Sequence, residues 1–301
     1  MQRRSYTGTQ DIKAMLDLLS KGCKAHNGTH YVHRGDLQWW LFYSDISLET
    51  WLSNIYLWFE GECLIGWALL SAQEQSFDVF VLPHLRNSGQ EREILDWSLE
   101  HMSMVDSFQS IWIAEEDDVR IRWMESHGFT MEQEYTPYFK RSLAGPLNLP
   151  PLPEGCGIRS SRGQEDARLR AACSHAAFGS KKPFEEYWPR TLRFMQSPVY
   201  VAEHELFVIA PGGEIAAYCI IWTDEVNNLG HFEPVGTHPG FQRKGLAKSL
   251  LFEALRRLQS EGMTEADVCT NHDNPSAISL YESIGFQKFT RLLTYRKGII
   301  K

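Results

Sequence analysis

The chain lacks a hydrophobic run long enough to cross a bilayer. Its longest nearly apolar stretch, residues 63–70, is eight residues, against the roughly 18 that a membrane helix needs. Arg3 and Arg4 stand near the start with no apolar stretch behind them, so no signal peptide is expected. Cysteine is scarce: six residues scattered without a CxxC pair, which fits buried thiols in a reducing compartment better than a disulfide framework. A cytoplasmic protein is the expectation. Basic charge is also short, with a formal net charge of −8 and no basic stripe in either half; this argues against nucleic acid as a partner. Low complexity is absent too, since 43% of the 301 residues are hydrophobic and 12% aromatic, enough for sizeable cores.

The acidity is uneven. Residues 1–150 carry 12 Lys/Arg against 21 Asp/Glu, or −9, and residues 151–301 carry 18 against 17, or +1. A polyanionic ligand is therefore better tolerated by the second half. Residues 142–157 contain four prolines and three glycines, which hold the chain extended and interrupt regular structure. This divides the chain into units 1–141 and 157–301, joined by a linker over 142–156. The units look like repeats. Glu282-Ser283-Ile284-Gly285-Phe286 answers Glu125-Ser126-His127-Gly128-Phe129, 157 positions earlier, and Gln242-Arg243-Lys244-Gly245 answers Arg86-Asn87-Ser88-Gly89, 156 earlier. Gly61-Glu62 and Gly213-Glu214 each open an apolar run. Several matches in one order point to duplication.

Each half reads as a helix, two or three strands, a long helix, a strand, a short helix and closing strands. In the second half a strand over 229–237 ends at His238-Pro239-Gly240. Leu246, Leu250, Leu251, Ala254, Leu255 and Leu258 then form one helical face. Gly262 breaks that helix, residues 266–269 read as the next strand, and Asn274-Pro275 starts a short helix that Gly285 ends. The expected fold class is α/β, with a mixed, mostly antiparallel sheet flanked by helices in each half.

Gln242-Arg243-Lys244-Gly245-Leu246-Ala247 lies at a strand-to-helix junction. Small residues at 245 and 247 allow close backbone approach, and unpaired N–H groups at the helix start suit an anion. The same features also describe an ordinary capped helix with a solvated basic end. Farther on, Ala277 and Tyr281 are four apart and share a helical face, leaving a slot beside a phenol; a tyrosine packed in a core gives the same pattern. Pro234 lacks an N–H and suits a strand that splays from its neighbour. Glu233, Val235 and Thr237 are expected to alternate onto one side. Glu233 there is a candidate general base, and equally suits an ion pair at a strand end.

Taken together, Gln-x-x-Gly-x-Ala at 242–247, Asn-x-x-Ala-x-x-x-Tyr at 274–281, Gly285-Phe286 and the segment Glu233-Pro234-Val235-Gly236-Thr237-His238-Pro239 resemble the GCN5-related N-acetyltransferase (GNAT) superfamily over about residues 200–290. The resemblance implies two tandem GNAT folds with a splayed strand pair, in an arrangement similar to mycothiol synthase-like proteins. It implies acetyl-coenzyme A as co-substrate, with pyrophosphate at the helix start (Gln242, Arg243, Lys244, Gly245, Leu246, Ala247). The pantetheine arm would lie along Val235, Gly236 and Thr237, with Asn274 and Ala277 beside the cofactor and Tyr281 as general acid. A small-molecule or peptide amine is the implied acceptor, reached between the domains. Another acyl or aminoacyl donor, or a non-catalytic cofactor-binding sensor, uses the same fold.

Aligning the repeats makes the first half a degenerate copy: Glu91 stands for Ala247, Asp117 for Asn274, Arg120 for Ala277 and Met124 for Tyr281. Two acids there oppose anion binding, and methionine donates no proton. Trp39, Trp40, Phe42, Tyr43 and Trp51 either line the cleft or pack in a core. His30-x-x-His33 has no third partner at metal-ligand spacing, so no metal is expected. Cys219 and Cys269, in apolar strand contexts, read as core thiols.

Overall fold

A computed structural model describes residues 1–44, 47–71, 75–103 and 108–298. The first half runs β1 (Gln2–Ser5), α1 (Thr9–Ala25), α2 (Arg34–Tyr43), α3 (Leu48–Asn54), β2 (Ile55–Glu60), β3 (Cys63–Ser71), β4 (Ser76–Val81), α4 (Gly89–Ser103), β5 (Phe108–Ala114), α5 (Asp118–Ser126) and β6 (Thr130–Ser142). The second half repeats the order with two helices in place of three after its first strand: β7 (Gly157–Ser160), α6 (Ala167–Ala177), α7 (Phe184–Met195), β8 (Glu205–Ile209), β9 (Ile215–Asp224), β10 (Leu229–Thr237), α8 (Leu246–Ser260), β11 (Glu265–Cys269), α9 (Pro275–Ser283) and β12 (Gln287–Gly298). The opening strands β1 and β7 escape the sequence reading because they are four residues long with no buried face. Each half also closes on one long strand rather than several. Among the described residues no helix is long and apolar enough to cross a membrane.

The duplication extends to backbone detail. Short 3₁₀ turns at Pro83–Leu85 and Pro239–Phe241 precede the long helices α4 and α8. Asn87 and Arg243, 156 positions apart, both adopt left-handed backbone at φ 65° and 60°. Asp117 and Asn274 cap α5 and α9, each accepting from the third residue of its helix, Arg120 and Ala277.

Among the described residues, twelve strands form one sheet in the order β1-β2-β3-β4-β5-β12-β6-β11-β10-β9-β8-β7. The closing strands are exchanged between halves. β12 lies against β5 of the first half, with Leu292 opposite Ala114 and Gly298 opposite Phe108. β6 lies against β11 of the second, with Val268 opposite Phe139. β6 and β12 then pair with each other, which makes the sheet continuous across the seam.

Each half keeps its own core: Trp67, Phe77, Ile94 and Met124 are buried in the first, and Leu250, Leu255, Leu258 and Val268 in the second. Each buried leucine is worth about 1.5–3 kcal/mol of transfer free energy. A third cluster joins the halves, where Tyr43 packs with Phe194, Ile220 and Trp222, flanked by Trp39 and Phe42. Gly35 permits this contact, since a Cβ there would meet Trp222 Cγ at 2.4 Å. The aromatic stretch divides accordingly: Trp39, Phe42 and Tyr43 pack at the seam and Trp51 in the first core.

Candidate active site

β10 pairs in parallel with β11 only from Leu229 to Phe232, opposite Glu265 to Val268. Beyond that point the two strands part. Val235, Gly236 and Thr237 stay paired to β9 along one edge, opposite Cys219, Tyr218 and Ala217. Their other edge is available for an extended ligand that adds as a strand would. A register shift between Phe232 and Val235 accompanies the split. It breaks the strict alternation expected through Pro234, because Phe232 and Val235 now pack against the same core cluster. Glu233 and Val235 nevertheless open into the same cavity.

At the foot of the split, α8 begins. Gly245 is its N-cap in left-handed conformation, φ 78°, and no side chain caps the helix. Its first N–H groups therefore lack a side-chain acceptor, which is the state an anion site needs. A groove of about 610 Å³ runs from here to α9. It collects Val235, Gly236 and Thr237 from β10, Gln242, Arg243, Gly245, Leu246 and Ala247 from the junction, and the α9 cap Asn274 with Ala277 and Tyr281 of that helix. Lys244, expected with them, turns elsewhere, its ammonium 3.2 Å from the Gly240 carbonyl and over the Phe241 ring. Lys248, one helical turn on, lines the groove instead. Asn274 has a structural duty as well, since its carboxamide oxygen accepts from Ala277 N at 3.1 Å.

A second cavity, about 370 Å³, lies at the seam of the two halves. It shares Phe178, Val235, Asn274, Ala277 and Tyr281 with the groove. Tyr281 thus stands where the two spaces meet. Half of the remaining wall comes from the first half and the exchanged strands, including Asp36 and Trp40 of α2, Trp112 of β5, Tyr138 of β6 and Leu292 of β12. Trp40 is therefore the one member of the aromatic stretch that faces the cleft.

The ionisable groups are tuned by burial and by one another. Burial, reinforced by the Asp36 carboxylate, raises Glu233 to about 7, while His231 pulls it down. Burial raises Tyr281 above the usual phenol range, and Cys269 and Glu233 add to the effect. His231 is fully buried with Nδ1 2.6 Å from Asp267 Oδ1. Its Nε2 lies 3.2 Å from Asp36 Oδ1, an ion-pair distance without the alignment of a hydrogen bond. Burial alone would lower this histidine, but the two carboxylates hold it well above its ordinary value. Asp267 is lowered in return, His231 outweighing burial. His33 stacks on His231 with ring centroids 4.9 Å apart, and burial and that neighbouring charge lower it.

His30 and His33 do not converge. His30 pairs with His26 at 3.3 Å, whereas His33 caps α2 by accepting from Gly35 N at 2.9 Å. Among the described residues, no group of three or more His, Cys, Asp and Glu side chains could hold a metal ion. Cys219 is a core thiol, but Cys269 lines the seam cavity, with its thiol raised well above the ordinary range by burial. Sequence reasoning missed Asp36, Trp112 and Tyr138 because they arrive from the other half.

In the first half the corresponding positions are filled. Glu91 bridges Arg86 and Arg120, and Asp117 pairs with Arg86 and lies 3.8 Å from Arg120. All four side chains are at most 7% exposed. These are the register partners of Gln242, Ala247, Asn274 and Ala277, so an internal ion cluster fills the equivalent positions.

Residues 170–286 match the family model described as the Acetyltransferase (GNAT) family. A tandem GNAT protein from the clavulanic acid biosynthesis pathway superposes with a TM-score of 0.70 at 13% identity, covering 99% of this chain and 98% of that one. The chain has the fold of a tandem GNAT protein. A GCN5-related N-acetyltransferase from Sphaerobacter thermophilus has the same fold, with a TM-score of 0.67 at 20% identity over 100% of this chain and 96% of that one. Among curated relatives, this chain is 30% identical to a mycothiol acetyltransferase of Streptomyces avermitilis over 171 residues, 56% of this chain and 55% of the relative. The match to that relative thus spans about half its length. A mycothiol acetyltransferase of Saccharomonospora viridis is 25% identical over 249 residues, 78% of this chain and 80% of that one.

Proposed function

We propose that the chain is an acetyl-coenzyme A-dependent N-acetyltransferase whose second half binds the donor and whose seam cavity receives a primary amine. The observation that carries this reading is the junction of groove and cavity at Tyr281. A donor lying along Val235 to Thr237, with pyrophosphate at the start of α8, has its thioester at that junction. Arg243 and Lys248 supply positive charge beside the uncapped amides.

The chemistry needs a neutral amine and a proton for sulfur. Glu233 takes the amine proton, directly or through water, as nitrogen attacks the thioester carbonyl carbon. A backbone N–H on the open edge of β10 polarises the carbonyl oxygen. The carbon–sulfur bond then breaks, and Tyr281 protonates the departing thiolate. Positioning of the two reactants in adjoining spaces supplies much of the remaining acceleration. The first half contributes wall, not donor site.

Calorimetric titration with acetyl-coenzyme A tests the donor assignment. One site per chain is expected, lost in Gly245→Glu, which places a carboxylate at the start of α8. Two sites per chain would mean that the ion cluster of the first half does not close it. Tyr281→Phe is expected to keep donor binding and lose turnover; unchanged turnover would remove its role as acid.

A further inference from the structure

The seam cavity differs in chemistry from the groove beside it. Trp40 and Trp112 form a corner, with ring centroids 6.4 Å apart and planes inclined at 54°. Tyr138, Phe178 and Leu292 extend the apolar wall. Two of these rings leave large apolar area in water, Trp112 at 43% and Phe178 at 58% exposure. Exposed aromatic faces at a cavity mouth are what an apolar ligand covers. Two carboxylates, Asp36 and Glu233, face the same space, and no Lys or Arg is among the described residues that line it. The groove, by contrast, has Arg243 and Lys248.

Resting on the transferase reading above, we propose that the acceptor is a primary amine on an aromatic or similarly apolar frame, without phosphate or carboxylate groups. The ammonium form is drawn in by Asp36 and Glu233 and loses its first proton to solvent, leaving the Glu233 carboxylate to take the second as nitrogen attacks, while the frame packs into the Trp40–Trp112 corner. A cation can also rest on those indole faces before transfer. An anionic acceptor would meet two carboxylates in a poorly hydrated space with no cation to receive it. The volume of about 370 Å³ accommodates a one- or two-ring amine beside the thioester.

The test is a panel of amines assayed by coenzyme A release and by mass detection of the acetylated product: 2-phenylethylamine, tryptamine, glucosamine, phosphoethanolamine and a short peptide. The aryl amines are expected to show kcat/KM at least tenfold above the other three. Trp112→Ala, a change at a half-exposed side chain, is expected to raise KM for the aryl amines several-fold without altering the affinity for acetyl-coenzyme A, and Trp112→Phe to restore most of the loss. Transfer to glucosamine, phosphoethanolamine or the peptide as efficient as to the aryl amines overturns the acceptor class and leaves the transferase reading standing. An unchanged KM in Trp112→Ala also overturns it. Binding of acetyl-coenzyme A without transfer to any of the five overturns both.

Discussion

At Glu233, burial and the Asp36 carboxylate act against ionisation and His231 acts for it, and the balance of about 7 suits a base that exchanges protons at neutral pH. The rate at limiting acceptor should therefore rise as pH increases through about 7, where the carboxylate form takes over. Glu233→Gln should remove that limb and lower kcat by about 10²–10⁴-fold. Asp36→Asn removes the repulsion and leaves His231 paired with Asp267, its Nδ1 2.6 Å from that carboxylate. The limb should then move to lower pH, and a limb that stays in place would show that Asp36 does not act on Glu233. Away from the site, burial opposes ionisation of Tyr43, but Arg170 and Arg190 outweigh it and bring the phenol down to about 8. Arg170 donates to its oxygen at 2.8 Å. An acid lowered by folding stabilises the native state above its unfolded value of 10 and loses that contribution as pH falls through about 8. Ultraviolet titration should show one tyrosinate appearing near pH 8 that is missing in Tyr43→Phe.

The elements α4 and α8 occupy equivalent places but meet opposite demands. α8 starts on bare glycine, with its amides open. α4 starts beside Asn87, whose N–H donates to Glu91 at 2.5 Å, and Glu91 is locked to two arginines. Glu91→Ala would leave Arg86 and Arg120 to share Asp117, with one buried positive charge in excess, so a loss of about 3–5 kcal/mol in denaturant-unfolding free energy is expected. Acetyl-coenzyme A stoichiometry should not change. Gly35→Ala drives a methyl into Trp222 at the seam and should cost about 1–3 kcal/mol, typical of overpacking. Because α2 also positions Asp36 and Trp40, the same substitution should raise KM for the acceptor more than the Kd of the donor.

At the scale of the molecule, the exchanged strands β6 and β12 make the halves interdependent. A fragment ending before the linker would have β5 with β4 but without β12, and β6 without either of its neighbours. Such edges invite aggregation. The whole chain should unfold in one cooperative transition, with tryptophan fluorescence and far-ultraviolet circular dichroism giving the same midpoint. Two separate midpoints would show that the halves fold independently despite the shared sheet.

Much of this architecture was legible in the residues. The apolar face of α8, the break at Gly262, the Asn274-Pro275 start of α9 and the extent of β10 all depend on neighbours a few positions apart. Periodicity, capping and proline or glycine backbone preferences report on such neighbours directly. The register of the repeats exposed the four substituted positions of the first half, because duplicated backbones place equivalent residues in equivalent places. What local pattern does not carry is the choice of distant partner. β12 could satisfy its hydrogen bonds against several strands, and Asp36 reads on α2 as a capping residue that bonds His33 N. The exchange of β6 and β12 and the delivery of Asp36, Trp40 and Trp112 to Tyr281 were decided only in the tertiary structure, where burial of both cores and the Tyr43–Phe194–Trp222 seam selects one arrangement of the halves.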